Sequence, residues 1–148
     1  MTALIQIITG TIGTLGFGIL FNIRGKRLIA ATLGGALSWS LFLLLQLFIP
    51  SEPVNYFIVS LATAFYCQLA AIRLKTPTTV FITTALVPLV PGGSLYYTMA
   101  YAFDTDMEKF LSRAIYTLQL ASALALGIIV AAAIIKIHRR FKRKKENA

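Results

Sequence analysis

The sequence has little with which to do enzyme chemistry. Its 148 residues include one cysteine, one histidine and five acidic side chains. Cys67 has no second cysteine to pair with, so an intramolecular disulfide and a thiolate metal cluster are both excluded. It falls in an apolar run, where packing is its expected role. His138 falls in a basic C-terminal segment and is expected to be solvated. Charge is also scarce, at 13% of residues, where a soluble domain carries about 25%. What charge there is leans one way, with fourteen Lys and Arg giving a net +9. The long apolar stretches hold no Asp, Glu, His, Lys or Arg at all. The usual general acids, bases and metal ligands are therefore missing from them. No enzyme activity, cofactor or metal is expected.

Apolar length is abundant. The chain is 57% hydrophobic with a mean hydropathy of +0.78. Five runs, at 3–21, 28–49, 56–72, 78–103 and 114–135, come near the roughly 20 residues a bilayer requires. A soluble helical bundle would need polar faces at helical period, and these are missing. The fold class expected is all-α: a polytopic membrane bundle of five transmembrane helices over 1–135, with the fourth broken between Pro88 and Gly93. A basic cytoplasmic tail, 136–148, follows.

The charges that exist sort by loop. Arg24, Lys26 and Arg27 follow the first run; Arg73 and Lys75 follow the third; the tail "KIHRRFKRKK" follows the fifth. Glu52 lies in the turn after the second run, and Asp104, Asp106 and Glu108 follow the fourth. Basic residues collect on the cytoplasmic side of membrane proteins. Five spans with the N-terminus outside and the C-terminus inside satisfy that rule; Lys109 and Arg113 run against it. The basic tail is thus read as a topology signal with some attraction for anionic lipid, not as a nucleic-acid site. The N-terminus lacks a positive region ahead of its apolar run, which argues against a cleaved signal peptide.

Small residues recur every four positions at Gly10, Thr14 and Gly18, at Ala30, Gly34 and Ser38, and at Ala123, Gly127 and Ala131. This spacing lets membrane helices approach closely. The stretch "GTIGTLGFG" has neither the preceding strand nor the spacing of a dinucleotide fingerprint. Gln68 and Gln119, inside the third and fifth runs, are expected to bond across helices.

The fourth run carries the most informative segment, "ALVPLVPGGSLYYTM". Thr76 is expected to cap its first helix, with Pro77 at the first helical position. Pro88 and Pro91 each remove an amide donor, and Gly92 and Gly93 loosen the backbone. A second helix is expected to restart with Gly93 or Ser94 as its cap. Unsatisfied backbone groups cost several kcal/mol in hydrocarbon, so such a break must be buried or line a wet cavity. Broken helices of this kind hold substrates in transporters, where half-helix N-termini face anionic groups. The candidate substrate-binding residues are Thr84, Pro88, Pro91, Gly92, Gly93, Ser94, Tyr97 and Thr98. A proline kink, or a span ending near Gly93 with Tyr96, Tyr97 and Tyr101 in an outer aromatic belt, are the competing geometries.

At Pro-x-x-Pro-Gly-Gly-x-x-Tyr, Pro88 to Tyr96, the chain resembles the small membrane subunit of the threonine/serine exporter family, equivalent to the C-terminal half of the fused exporters. The resemblance implies a bacterial cytoplasmic-membrane protein that exports small amino acids with the proton gradient. It also implies a separate, larger membrane subunit as partner. Some two-component relatives are associated with dicarboxylate export, so small carboxylates stay open as substrates. Proton coupling needs a titratable group in the membrane, and the predicted spans lack one, so the proton site is expected on the partner. The alternative is a non-transporting scaffold whose basic tail binds anionic lipid or a cytoplasmic partner.

Overall fold

The computed structural model describes residues 2–103 and 106–146, and the side chains of 2–103 and 106–138. Among the described residues only helices and connecting turns occur. The long helices are α1 (Thr2–Leu20), α2 (Lys26–Gln46), α3 (Glu52–Arg73) and α6 (Met107–Glu146); between α3 and α6 lie two shorter ones, α4 (Thr78–Ala85) and α5 (Gly92–Phe103). The four long helices are each apolar and long enough to cross a membrane, and α4 with α5 makes a fifth candidate bent by 44°.

Chain reversals are sharp at one end of the bundle. Asn22 and Lys75 take left-handed backbone angles (φ 56° and 48°). Behind them the Ile23 amide donates to the Gly18 carbonyl at 2.9 Å, and the Thr76 amide to Ala71 at 3.0 Å. These are helix stops of the kind that satisfy orphan carbonyls with a left-handed residue just past the end. Both fall beside the basic clusters Arg24–Arg27 and Arg73–Lys75, so those clusters share one end. The turn of 47–51 lies at the other.

The direction of α6 shows how the broken pair runs. Its Tyr116 meets Glu52, at the start of α3. Its Gly127 lies against Phe57 and Ser60. Its Ile134, Ile135 and His138 share a groove with Gln68 and Ile72, near the end of α3. Helices α3 and α6 are therefore parallel, and residues 78–103 must carry the chain back from the basic end to the Glu52 end.

The small-residue stripes sit at the contacts. Thr14 and Gly18 are buried on α1, Gly34 and Ser38 on α2, and Ala131 on α6. A Cβ on Gly34 would come 2.9 Å from both Ala85 and Tyr66, so α2 touches α3 and α4 there. Two clusters form the interior. Ala31, Cys67, Ala71, Phe81 and Ala85 pack toward the basic end, where Cys67 is buried as a packing residue. Phe42, Tyr56, Val59, Leu86, Leu89 and Leu120 pack beneath the break.

Several boundaries differ from the sequence expectation. Helix α3 begins at Glu52, with Pro53 in its first turn, so Glu52 belongs to the helix and not to a turn. Helix α6 begins at Met107, which places Glu108, Lys109 and Arg113 on it, and it runs past 135 to Glu146 without interruption. Thr76 does not cap α4: its hydroxyl turns back to the Leu74 carbonyl at 2.9 Å, and Pro77 precedes the first helical residue. Helix α5 restarts at Gly92, two residues earlier than expected, because the Pro91 carbonyl accepts the first helical bond from Leu95 at 3.0 Å. Asp104 and the side chains of Arg139 to Lys145 lie outside the described residues.

Candidate functional site

The break follows from which hydrogen bonds proline removes. Pro88 has no amide to give the Thr84 carbonyl, so α4 ends at Ala85. The next amides tighten to three-residue bonds, Leu89 to Leu86 at 2.9 Å and Val90 to Val87 at 3.2 Å, forming a short 3₁₀ turn at Val87–Leu89. That leaves the Ala85 carbonyl without its helical donor. Ser38 of α2 supplies one: its hydroxyl lies 2.9 Å from Ala85 O and 2.8 Å from its own Gly35 O. The Gly92 amide then closes a tight turn on Val90 at 2.7 Å. The amides of Gly93 and Ser94 find no acceptor among the described residues. They are the first-turn donors of α5, where the helix dipole leaves partial positive charge.

Those amides lie at a cavity of about 320 Å³. Pro88, Pro91, Gly92, Gly93, Ser94 and Tyr97 form one wall; Trp39 comes from α2, Glu52 and Tyr56 from α3, and Arg113, Tyr116 and Leu120 from α6. Its size is at the lower end of small-molecule sites. Aromatic rings brace it, with Trp39 stacked on Phe42 at 5.2 Å and Phe42 edge-on to Tyr56 at 5.1 Å. The Trp39 indole N–H is buried and has no partner among the described residues. Tyr116 donates its hydroxyl hydrogen to Glu52 Oε2. The residues carrying the two free amides and the residue carrying one carboxylate, Glu52, therefore line the same space. Pro88 lies opposite Gly10, midway along α1. Trp39 is seven residues from the end of α2, about 10 Å at 1.5 Å per residue. The break thus starts at mid-bundle and opens toward the Glu52 end.

Of the eight residues read from the sequence, Pro88, Pro91, Gly92, Gly93, Ser94 and Tyr97 line this cavity, and Thr84 and Thr98 do not. Thr84 is buried with its hydroxyl on the Val80 carbonyl at 3.2 Å. The Ser94 hydroxyl is 2.7 Å from that of Thr117, and the Thr98 hydroxyl is 3.0 Å from it while donating to Ser94 O at 2.8 Å. These two hydroxyls join α5 to α6. Gln68 bonds across helices, accepting from Thr78 at 2.9 Å. Gln119 lines a neighbouring cavity with Glu52.

Sequence reading missed Trp39, Glu52, Arg113 and Tyr116. Glu52 was placed in a turn, and the other three carry no local signal. The expectation that the membrane part of this chain holds no titratable group rests on those boundaries. With α3 starting at Glu52, one carboxylate reaches the break.

The sequence model of one protein family, described as "Threonine/Serine exporter, ThrE", matches residues 6–134. No curated protein and no solved structure matches the chain.

Proposed function

Because the chain belongs to the threonine/serine exporter family, we propose that it is a membrane unit of a secondary transporter for small amino acids, with the break in 78–103 as its substrate site. The supporting observation is the pair of free amides at Gly93 and Ser94, held at a cavity inside an apolar bundle. Irregular backbone at membrane depth persists only where protein covers it or water and solute reach it. Gly92 and Gly93 are exposed, so the chain itself does not cover them. An anionic group, such as the carboxylate of an amino acid, suits a half-helix N-terminus.

On this reading the protein lies in the bacterial cytoplasmic membrane, with the basic end cytoplasmic and the N-terminus outside. A larger membrane subunit of the same family is the proposed partner, and transport is proton-coupled. No residue of α5 is buried, and Leu4, Ile5, Ile8 and Ile12 of α1 are exposed. The basic tail is proposed to rest on anionic lipid.

The test uses the glycines. A Cβ at Gly92 or Gly93 meets nothing within 4 Å, so a side chain starts from open space at either position. Gly93→Leu fills the space the amides face. Threonine and serine counterflow in liposomes is expected to fall at least about tenfold, in line with a lost charge-assisted hydrogen bond, at unchanged yield of assembled protein. Wild-type counterflow in that variant would overturn the proposal. If charge removal at Arg139 to Lys145 abolished function instead, the scaffold role would replace it.

A further inference from the structure

One carboxylate stands where two cavities meet. Among the described side chains the acids are Glu52, Asp106 and Glu108. Asp106 is ion-paired with Lys109 at 2.8 Å, and both line a pocket with Glu108 at the start of α6. Of the three acids, Glu52 alone lines the cavity of the break. It also lines a second cavity, of about 710 Å³, with Gln46, Ser51 and Gln119, at the end of the bundle that holds the turn of 47–51. Glu52 and Tyr116 are common to both spaces. A proton entering from that end reaches Glu52 on its way to the amides of Gly93 and Ser94.

The carboxylate is held in place without being neutralised. Tyr116 on α6 donates to Oε2. The other oxygen, Oε1, has no hydrogen bond or ion pair among the described residues. Arg113 on α6 lines the break cavity but forms no ion pair with Glu52 among the described residues. Tyr56, one turn along α3, and Tyr97 on α5 are the other titratable groups on its walls, and α2 contributes the uncharged Trp39. A hydroxyl donor suits both states of Glu52, because a carboxylate oxygen accepts and so does the carbonyl oxygen of the protonated acid. Oε1 can therefore gain and lose a proton while the Tyr116 bond stays in place.

We infer that Glu52 is the group that carries the transported proton, so that the coupling site lies on this chain and not on a larger subunit. This rests on the reading of the break as a substrate site. An ionisable group inside a membrane bundle is a functional group by default. Closing an ionised carboxylate into an apolar interior with no counter-charge is costly, so the empty cavity closes with Glu52 protonated. An amino acid brings an ammonium with it, so the loaded cavity closes with Glu52 ionised. One O–H bond forms at Oε1 as a proton enters from the Glu52 end, and the same bond breaks as that proton leaves on the cytoplasmic side. One proton enters for each substrate molecule that leaves.

The experiment separates driven accumulation from exchange. Everted membrane vesicles from cells carrying the full-length chain are given an acid interior, with the membrane potential clamped at zero. In the wild type, a difference of about one pH unit should sustain an about tenfold accumulation of radiolabelled serine, as one-for-one exchange requires. In Glu52→Gln the side chain is neutral at every pH, so serine should only equilibrate with the medium, while serine counterflow without a pH difference continues. Glu52→Asp should restore accumulation. Wild-type accumulation in Glu52→Gln overturns the inference, as does a wild type that fails to accumulate. Loss of counterflow together with accumulation also overturns it, since it marks Glu52 as a structural or substrate-binding group. A second measurement needs no variant to fold. Dicyclohexylcarbodiimide, which adds to protonated carboxyls in apolar surroundings, should modify Glu52 in the wild-type chain, and serine should slow the modification. Modification that misses Glu52, or that serine leaves unchanged, overturns the inference. Any of these results leaves the substrate-site reading standing if Gly93→Leu blocks counterflow; wild-type counterflow in Gly93→Leu removes that reading itself.

Discussion

Ser38 reaches across from α2 to a carbonyl that the proline break has orphaned, with its hydroxyl 2.9 Å from Ala85 O. In an apolar interior, an acceptor stripped of its donor costs about 1–3 kcal/mol. Ser38→Ala is therefore expected to lower the thermal unfolding midpoint of the detergent-purified protein. Ser40→Ala is the control, because Ser40 bonds only the Ala36 carbonyl of its own helix at 2.7 Å, which remains helically bonded; its midpoint should barely move. Equal effects would mean that Ser38 acts by local packing alone. Asp106 does a similar job at the start of α6. One carboxylate oxygen accepts the Lys109 amide at 3.1 Å and the other meets Lys109 Nζ at 2.8 Å. The Lys109 side chain first, then its amide, holds the Asp106 carboxyl below the usual carboxylate range. The folded value is depressed, so this anchoring is complete above the ordinary Asp value of about 3.9 and is lost as pH falls through the lowered one. The protection factor of the Lys109 amide, taken against its own intrinsic exchange rate, should hold at the ordinary Asp value and drop only as pH falls below it. Asp106→Asn should remove that pH step.

At the level of helices, the same glycine has opposite meanings on different faces. A Cβ at Gly127 would fall 2.6 Å from the Phe57 carbonyl oxygen and also collide with Ser60, both on α3. Gly13, on α1, has nothing within 4 Å. Gly127→Ala must push α3 and α6 apart and is expected to cost about 1–3 kcal/mol as overpacking. Gly13→Ala should be neutral or stabilising, since alanine is the better helix former by about 1 kcal/mol. Unfolding midpoints of the two variants check this; the assignment of the α3–α6 contact fails if Gly127→Ala is as stable as Gly13→Ala. The four-residue spacing of Gly127 with Ala123 and Ala131 was visible in the sequence, and Gly13 falls outside any such series. The break was visible too, because proline and glycine act on their own backbone. The cavity's far wall was not. Glu52 and Tyr116 are 64 residues apart, and no local period encodes which helices will be neighbours. The meeting of the Ser94 and Thr98 hydroxyls with Thr117 was hidden for the same reason: Thr117 lies on another helix.

For the molecule as a whole, the parallel course of α3 and α6 requires that residues 78–103 cross from one end to the other. A re-entrant hairpin at 88–93 would return the chain to the end it left, and α6 would then run antiparallel to α3. Tyr116 could not meet Glu52 while Gly127 meets Ser60. The consequence is a pattern of sidedness. Arg24 and Lys75 belong to the basic end, Ser51 and Glu108 to the opposite end, and all four are exposed. Cys67 is the only cysteine and is buried among small residues, so Cys67→Ala gives a background for single-cysteine labelling. In right-side-out vesicles, an impermeant maleimide should label Ser51→Cys and Glu108→Cys. It should reach Arg24→Cys and Lys75→Cys only after the membrane is opened, as positive-inside orientation requires. Lys75→Cys and Glu108→Cys labelled from the same side would show that the bent pair does not cross, and the free amides of Gly93 and Ser94 would then face a different compartment from the one Glu52 sees. Labelling of all four positions in the inverse pattern would instead keep the crossing and reverse the orientation, so that the cavity near Glu52 opens to the cytoplasm.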